Sequence, residues 1–135
     1  MNKSNLNTNN KITKSVVEVK DLKVQFQLKD KIVKAVDGIS FDINKGETTA
    51  IVGESGSGKS VTALSLMRLT DYSGGKIVSG EINLQSKNNL NQNLTQLNQE
   101  KMRDIRGNDI SMIFQEPMTS LNPVFTIGMQ ITETI

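Results

Sequence analysis

Leu22, Val24, Phe26 and Leu28 alternate with Lys23, Gln25 and Gln27, the period-two pattern of a strand with one buried face. Ile39, Phe41 and Ile43 repeat it after an Asp37-Gly38 turn signal, which predicts a small antiparallel sheet at the N-terminal end. Thr48-Thr49-Ala50-Ile51-Val52 differs: the run is short, nearly continuous and without alternation, as expected of a central strand buried on both faces. It leads into a glycine-rich segment, Gly53 to Gly58. Beyond Lys59-Ser60, the stretch VTALSLMRLT has no Gly or Pro and is apolar on most sides, predicting a buried helix that ends near Thr70.

Tyr72 to Gly80 carries three glycines and reads as a connection, with a short strand from Glu81 to Gln85. The Asn- and Gln-rich segment QSKNNLNQNLTQLNQ begins as a polar surface excursion. Leu94, Leu97, Met102 and Ile105 fall at near-helical spacing and predict a helix before Gly107. Ile110 to Phe114 reads as another buried strand, broken by Gln115-Glu116-Pro117, and Ile127, Gln130 and Ile131 open a further helix. Residues 1–15 lack the apolar centre of a signal peptide and read as a disordered, solvated tail, leaving 16–135 as the folded unit. A chain that stops inside a helical pattern is expected to be part of a longer domain.

With 135 residues, 36% apolar and 22% charged, the composition is that of an ordinary globular sequence. Sixteen basic against fourteen acidic residues leave a charge of +2, too small and scattered to argue for nucleic acid. The absence of Cys and His from the sequence removes disulfides, thiol chemistry, His-bearing metal sites and His-based triads. No apolar run approaches the ~20 residues of a membrane span.

The chemistry is concentrated in GESGSGKS, Gly53 to Ser60, which fits the phosphate-loop pattern G-x-x-x-x-G-K-[ST]. Glycines allow the backbone N–H groups of Gly53, Glu54, Ser55, Gly56, Ser57 and Gly58 to turn around phosphate oxygens, and the following helix presents its positive end to them. Lys59 would reach the β- and γ-phosphates, and the Ser60 hydroxyl would ligate Mg²⁺. The bare pattern arises by accident in roughly one chain of this length in two hundred. A flexible Gly/Ser linker is the competing reading, but a linker needs no Lys-Ser at a helix start.

Together GESGSGKS, AVDGISFDINKGET before it and FQEPMTSLNP from Phe114 to Pro123 resemble the ATP-binding subunit of an ABC transporter. More narrowly, the sequence is similar to the ATPases of oligopeptide, dipeptide or nickel importers from about Val16 to Ile135. The resemblance implies an α/β P-loop domain with an N-terminal antiparallel β subdomain, cut before the signature and Walker B motifs. It implies ATP and Mg²⁺ as ligands and a catalytic, metal-approaching role for Gln115, whose amide can both bind a metal and orient water. It also implies stacking of Phe26 on adenine, although as a member of an alternating strand Phe26 fits the core equally well. The implied partners are transmembrane permease subunits, a second ATP-binding subunit in a homo- or heterodimer and, indirectly, an extracytoplasmic substrate-binding protein. Nucleic acid is not among them, and the implied location is peripheral, at the cytoplasmic face of the membrane.

Ser73-Gly74-Gly75-Lys76 superficially matches the family signature LSGGQ, but it lies before the Gln115 segment and reads as a turn. Glu116 does not follow the hydrophobic strand that precedes the family's catalytic carboxylate. No signature motif, Walker B Asp, catalytic Glu or switch His lies between Met1 and Ile135. Phosphoryl transfer depends on positioning and charge stabilisation, so these 135 residues are expected to bind MgATP far better than they turn it over. A truncated, non-catalytic nucleotide-binding module is the alternative. Another kind of P-loop NTPase would leave FQEPMTSLNP unexplained.

Overall fold

The computed structural model describes residues 15–88, 90–115 and 121–133. Two long strands, β1 (Ser15–Gln27) and β2 (Ile32–Asn44), pair antiparallel as the alternation predicts, in a hairpin closed by a bond from Leu28 N to Lys31 O of 2.9 Å. With β3 (Gly75–Gln85) and β4 (Asn91–Asn93) they make a four-stranded antiparallel sheet in the order β2-β1-β3-β4. The expected tail falls outside the described residues except for Ser15, which already belongs to β1.

The core lies on one face of this sheet. Val17, Val19, Leu22 and Val24 of β1 meet Val36, Ile82 and Leu84 from the neighbouring strands, and Leu94, Met102 and Ile105 cover them. The buried positions of β1 change phase between Val19 and Leu22 because the sheet bends there. Asp21 takes a left-handed φ of 43°, opposite Gly38 of β2 at 84° and Gly80 of β3 at 96°, and the registers slip at the same place. Asp37-Gly38 is therefore no turn; Gly38 sits within β2, facing the Asp21 carboxylate across a bulge.

β3 begins six residues before the predicted Glu81, because Gly75 to Ser79 pair with β1 from Phe26 back to Lys23. Gly75 is buried under the Phe26 ring, whose Cζ and Cε1 lie 2.8 and 2.9 Å from where a Cβ on Gly75 would stand. A glycine that reads as a loop marker is here a seat for an aromatic ring.

Helix α1 (Lys59–Leu66) follows the glycine-rich segment but ends four residues short of Thr70. Arg68 adopts a φ of 52°, which an α-helix cannot continue through, and residues 69–73 form a separate 3-10 turn. The fully buried positions of α1 are Thr62 and Ser65, whose hydroxyls donate to Gly58 O (2.9 Å) and Val61 O (2.7 Å) and so bring no unpaired polar group inward. The helix expected before Gly107 forms only as α2 (Gln99–Ile105), capped by the Asn98 side chain on Lys101 N at 2.9 Å and burying Met102 and Ile105. Leu94, expected in the same helix, opens a separate 3-10 turn, and Leu97 follows it in extended backbone. Helix α3 (Ile127–Thr132) opens where expected, with Thr126 as its cap.

Two predicted strands do not form. Thr48–Val52 is irregular, with Ile51 44% and Val52 87% exposed, and Ile110–Phe114 shows only an isolated bridge from Ile110 to Arg106, with Ile113 fully exposed. A strand buried on both faces needs a hydrogen-bonded neighbour and a cover on each side. Among the described residues nothing pairs with Thr48–Val52, and Ile110 is the one position of the second run that makes a bridge.

Candidate nucleotide-binding site

Residues 53 to 57 are exposed and, with the half-buried Gly58, join the irregular segment to α1. Gly56 and Gly58 have φ values of 80° and 92°, a region that only glycine enters without strain. Gly58 is also the N-terminal cap of α1 and lies directly on β2: a Cβ there would collide with the Ala35 carbonyl oxygen and come to 3.6 Å of the Val36 side chain. The sequence reading does not name Ala35, yet its carbonyl fixes the height of the loop above the sheet. Its one trace in the sequence is that Ala35 opens the stretch AVDGISFDINKGET.

Lys59, the first residue of α1, turns back over the loop. Its Nζ donates to Gly53 O (2.7 Å), Glu54 O (2.6 Å) and Ser57 Oγ (3.4 Å). The three ammonium donors thus draw both ends of the loop around one cation. The first amides of a helix have no intrahelical acceptor and carry its partial positive charge. In α1 this end has no side-chain cap bond and no acidic residue in its first turn. A cation, left-handed glycines and an uncapped helix start thus converge on one exposed spot, a setting that favours an anion. Ser60 is the next residue of α1 and is exposed beside it.

The donor set fits magnesium held largely by a nucleotide. No group of three or more acidic or His side chains converges among the described residues, and Mg²⁺ commonly takes a few protein oxygens with phosphates and waters filling its octahedron. Ser60 is suited to supply one such oxygen.

The other expected site residues are placed less closely together. Phe26 is half-buried and packed against the core over Gly75, with Val33 as its partner on β2, three positions from the Val36 that faces Gly58. Gln115 is exposed at the end of the irregular segment after Ile110, and Glu116 to Ser120 lie outside the described residues. Gly74 is the left-handed cap of the 3-10 turn, followed at once by β3. Away from the loop, a hydrogen bond from Lys20, assisted by its charge and by Asn83, holds the Glu18 carboxyl below its ordinary range, and the same pairing raises Lys20.

The glycine loop of phosphate-loop pattern thus runs from an irregular segment into α1 and rests against an antiparallel sheet, the arrangement of a P-loop fold. The chain belongs to the ABC transporter family, whose model matches residues 36–133. It is 55% identical over 121 residues to the oligopeptide transport ATP-binding protein AppD of Bacillus subtilis, covering 90% of this chain and 35% of that protein. It is also 50% identical over 121 residues to the glutathione import ATP-binding protein GsiA of Escherichia coli, covering 90% of this chain and 19% of that one. The GsiA protein of Pectobacterium atrosepticum is 51% identical over 122 residues, with 90% and 20% covered. The chain thus spans between about a fifth and a third of the length of these relatives.

Proposed function

We propose that the chain binds MgATP at Gly53–Ser60 as part of the ATPase subunit of an ABC importer for peptides. The observation that carries this reading is the Lys59 ammonium poised on three loop oxygens at the uncapped start of α1. The amides of residues 53 to 58 and Lys59 would hold the phosphates of ATP, and Ser60 and Gln115 would supply oxygens to Mg²⁺. Gln115 would further orient the attacking water, and the half-buried Phe26 would offer its ring to the adenine. ATP turnover in such a subunit powers transport by permease subunits at the cytoplasmic face of the membrane. The working assembly includes a second ATP-binding subunit and draws its substrate from an extracytoplasmic binding protein. The names of the relatives support peptides as cargo, and no helix among the described residues is long and apolar enough to cross a membrane by itself.

Calorimetric titration of MgATP into the wild-type chain and Lys59→Ala tests the reading. Loss of a charge-assisted contact worth about 1.5–3 kcal/mol corresponds to an affinity drop of roughly 10- to 150-fold. Equal affinities in two folded proteins would overturn the phosphate role.

A further inference from the structure

The two arginines Arg68 and Arg106 build a polar joint that the P-loop reading does not use. Arg106 closes α2, and its guanidinium reaches 38 and 39 positions back along the chain, donating from Nε to Met67 O (2.8 Å) and from Nη2 to Arg68 O (3.3 Å). Met67 is the C-terminal cap of α1, so these are carbonyls at the negative end of the phosphate-loop helix. The left-handed turn at Arg68 brings the second carbonyl round to the same fork. Arg68 in turn holds the far side: it pairs with Asp71 at 2.8 Å and donates to the carbonyls of Leu94 and Leu97, just ahead of α2.

Tyr72 and Gln99 complete the joint. The Arg106 guanidinium lies 5.4 Å from the Tyr72 ring centre and donates from Nη1 to the Tyr72 hydroxyl (3.3 Å). That hydroxyl donates to Gln99 Oε1 (3.0 Å), and Gln99 Nε2 donates to the Asp71 carboxylate (3.0 Å). On its backbone side Arg106 bridges to Ile110, with Gly107 N bonded to Ile110 O at 2.8 Å, five residues before Gln115.

We propose that Arg106 is a positioning residue that fastens the C-terminal end of the phosphate-loop helix to the α2–Ile110 segment leading to Gln115, so that nucleotide bound at Gly53–Ser60 orders that segment as well. The inference rests on the nucleotide reading of the loop. Only a planar fork can serve two carbonyls and a hydroxyl from one centre while stacking on a ring, so Arg106→Lys retains the charge and breaks the joint.

Hydrogen–deuterium exchange of the full chain with and without MgATP tests it, with Lys59→Ala as the control for binding. In wild type, MgATP is expected to slow exchange over Gly53–Ser60 and, by roughly 5-fold or more, over Gln99–Ile110, the lower end of usual coupling between sites. In Arg106→Gln and Arg106→Lys the slowing at Gly53–Ser60 persists and that over Gln99–Ile110 falls below about 2-fold. A merely structural arginine would alter exchange without nucleotide and leave the nucleotide-dependent difference in place. Should Arg106→Gln fail to fold, Arg106→Lys, which keeps the charge, carries the test. Protection of the loop alone in wild type, or equal protection of Gln99–Ile110 in wild type and variants, overturns the joint. No protection anywhere overturns the nucleotide reading, and this inference with it.

Discussion

Gly56 and Gly58 look alike in GESGSGKS, but the structure gives them different constraints. Both have left-handed backbones; around Gly56 nothing lies within 4 Å of an added Cβ, whereas at Gly58 the Cβ strikes the Ala35 carbonyl. Gly56→Ala is therefore expected to cost only the dihedral strain, about 1–2 kcal/mol. Gly58→Ala adds a backbone collision of about 1–3 kcal/mol and lifts the loop from β2. Urea denaturation of the two variants checks this, and equal losses of stability would refute the seating of Gly58. The phosphate-loop pattern and its left-handed glycines are legible from residue type and spacing alone, because the pattern encodes which backbone turns are possible. Where the loop rests is not legible, since Ala35 acts through a carbonyl that every residue possesses. Phe26 shows the same limit: alternation places it on the inner face of a strand, and only the structure reveals Gly75 beneath its ring.

The β1–β2 pair and the second half of β3 are legible because alternation marks a strand with one buried face, whereas the glycine-rich start of β3 and the polar Asn91–Asn93 of β4 carry no such pattern. The bend at Asp21 leaves a fainter trace, the three-residue step from Val19 to Leu22, which the run Leu22–Leu28 conceals. Its tightest point is Gly80, where a Cβ would lie 2.5–2.6 Å from Asp21 O, Leu22 Cα and Lys20 O. All three are backbone atoms of the central strand and cannot rotate aside. Gly80→Ala is expected to lose about 3 kcal/mol or more, combining φ strain with overpacking. A thermal melt of the variant would show this, and an unchanged midpoint would mean that the bend is soft. The continuous apolar runs at Thr48–Val52 and Ile110–Phe114 were misread for an opposite reason. Hydrophobicity signals that a segment seeks burial, but strand formation requires a partner edge, and the two-sided cover is not supplied by the described residues.

Across the molecule, sequence and relatives agree on the family, while the described residues build mainly its N-terminal sheet with the phosphate loop beside it. The loop touches that sheet at Gly58, and the far end of α1 is tied to α2 through Arg106, so both ends of the helix rest on a core built largely by β1, β3 and α2. The apolar side chains of Ile51, Val52, Ile113, Phe114, Val124 and Phe125 remain in contact with solvent. Water that already surrounds a side chain in the native state contributes nothing further when the chain unfolds. The heat-capacity increment of this chain should consequently fall below the usual range of about 12–15 cal/mol/K per residue, and scanning calorimetry at several pH values would measure it. With a smaller increment, its stability curve is broad and shallow: cooling weakens the chain little, and its temperature of greatest stability is poorly defined.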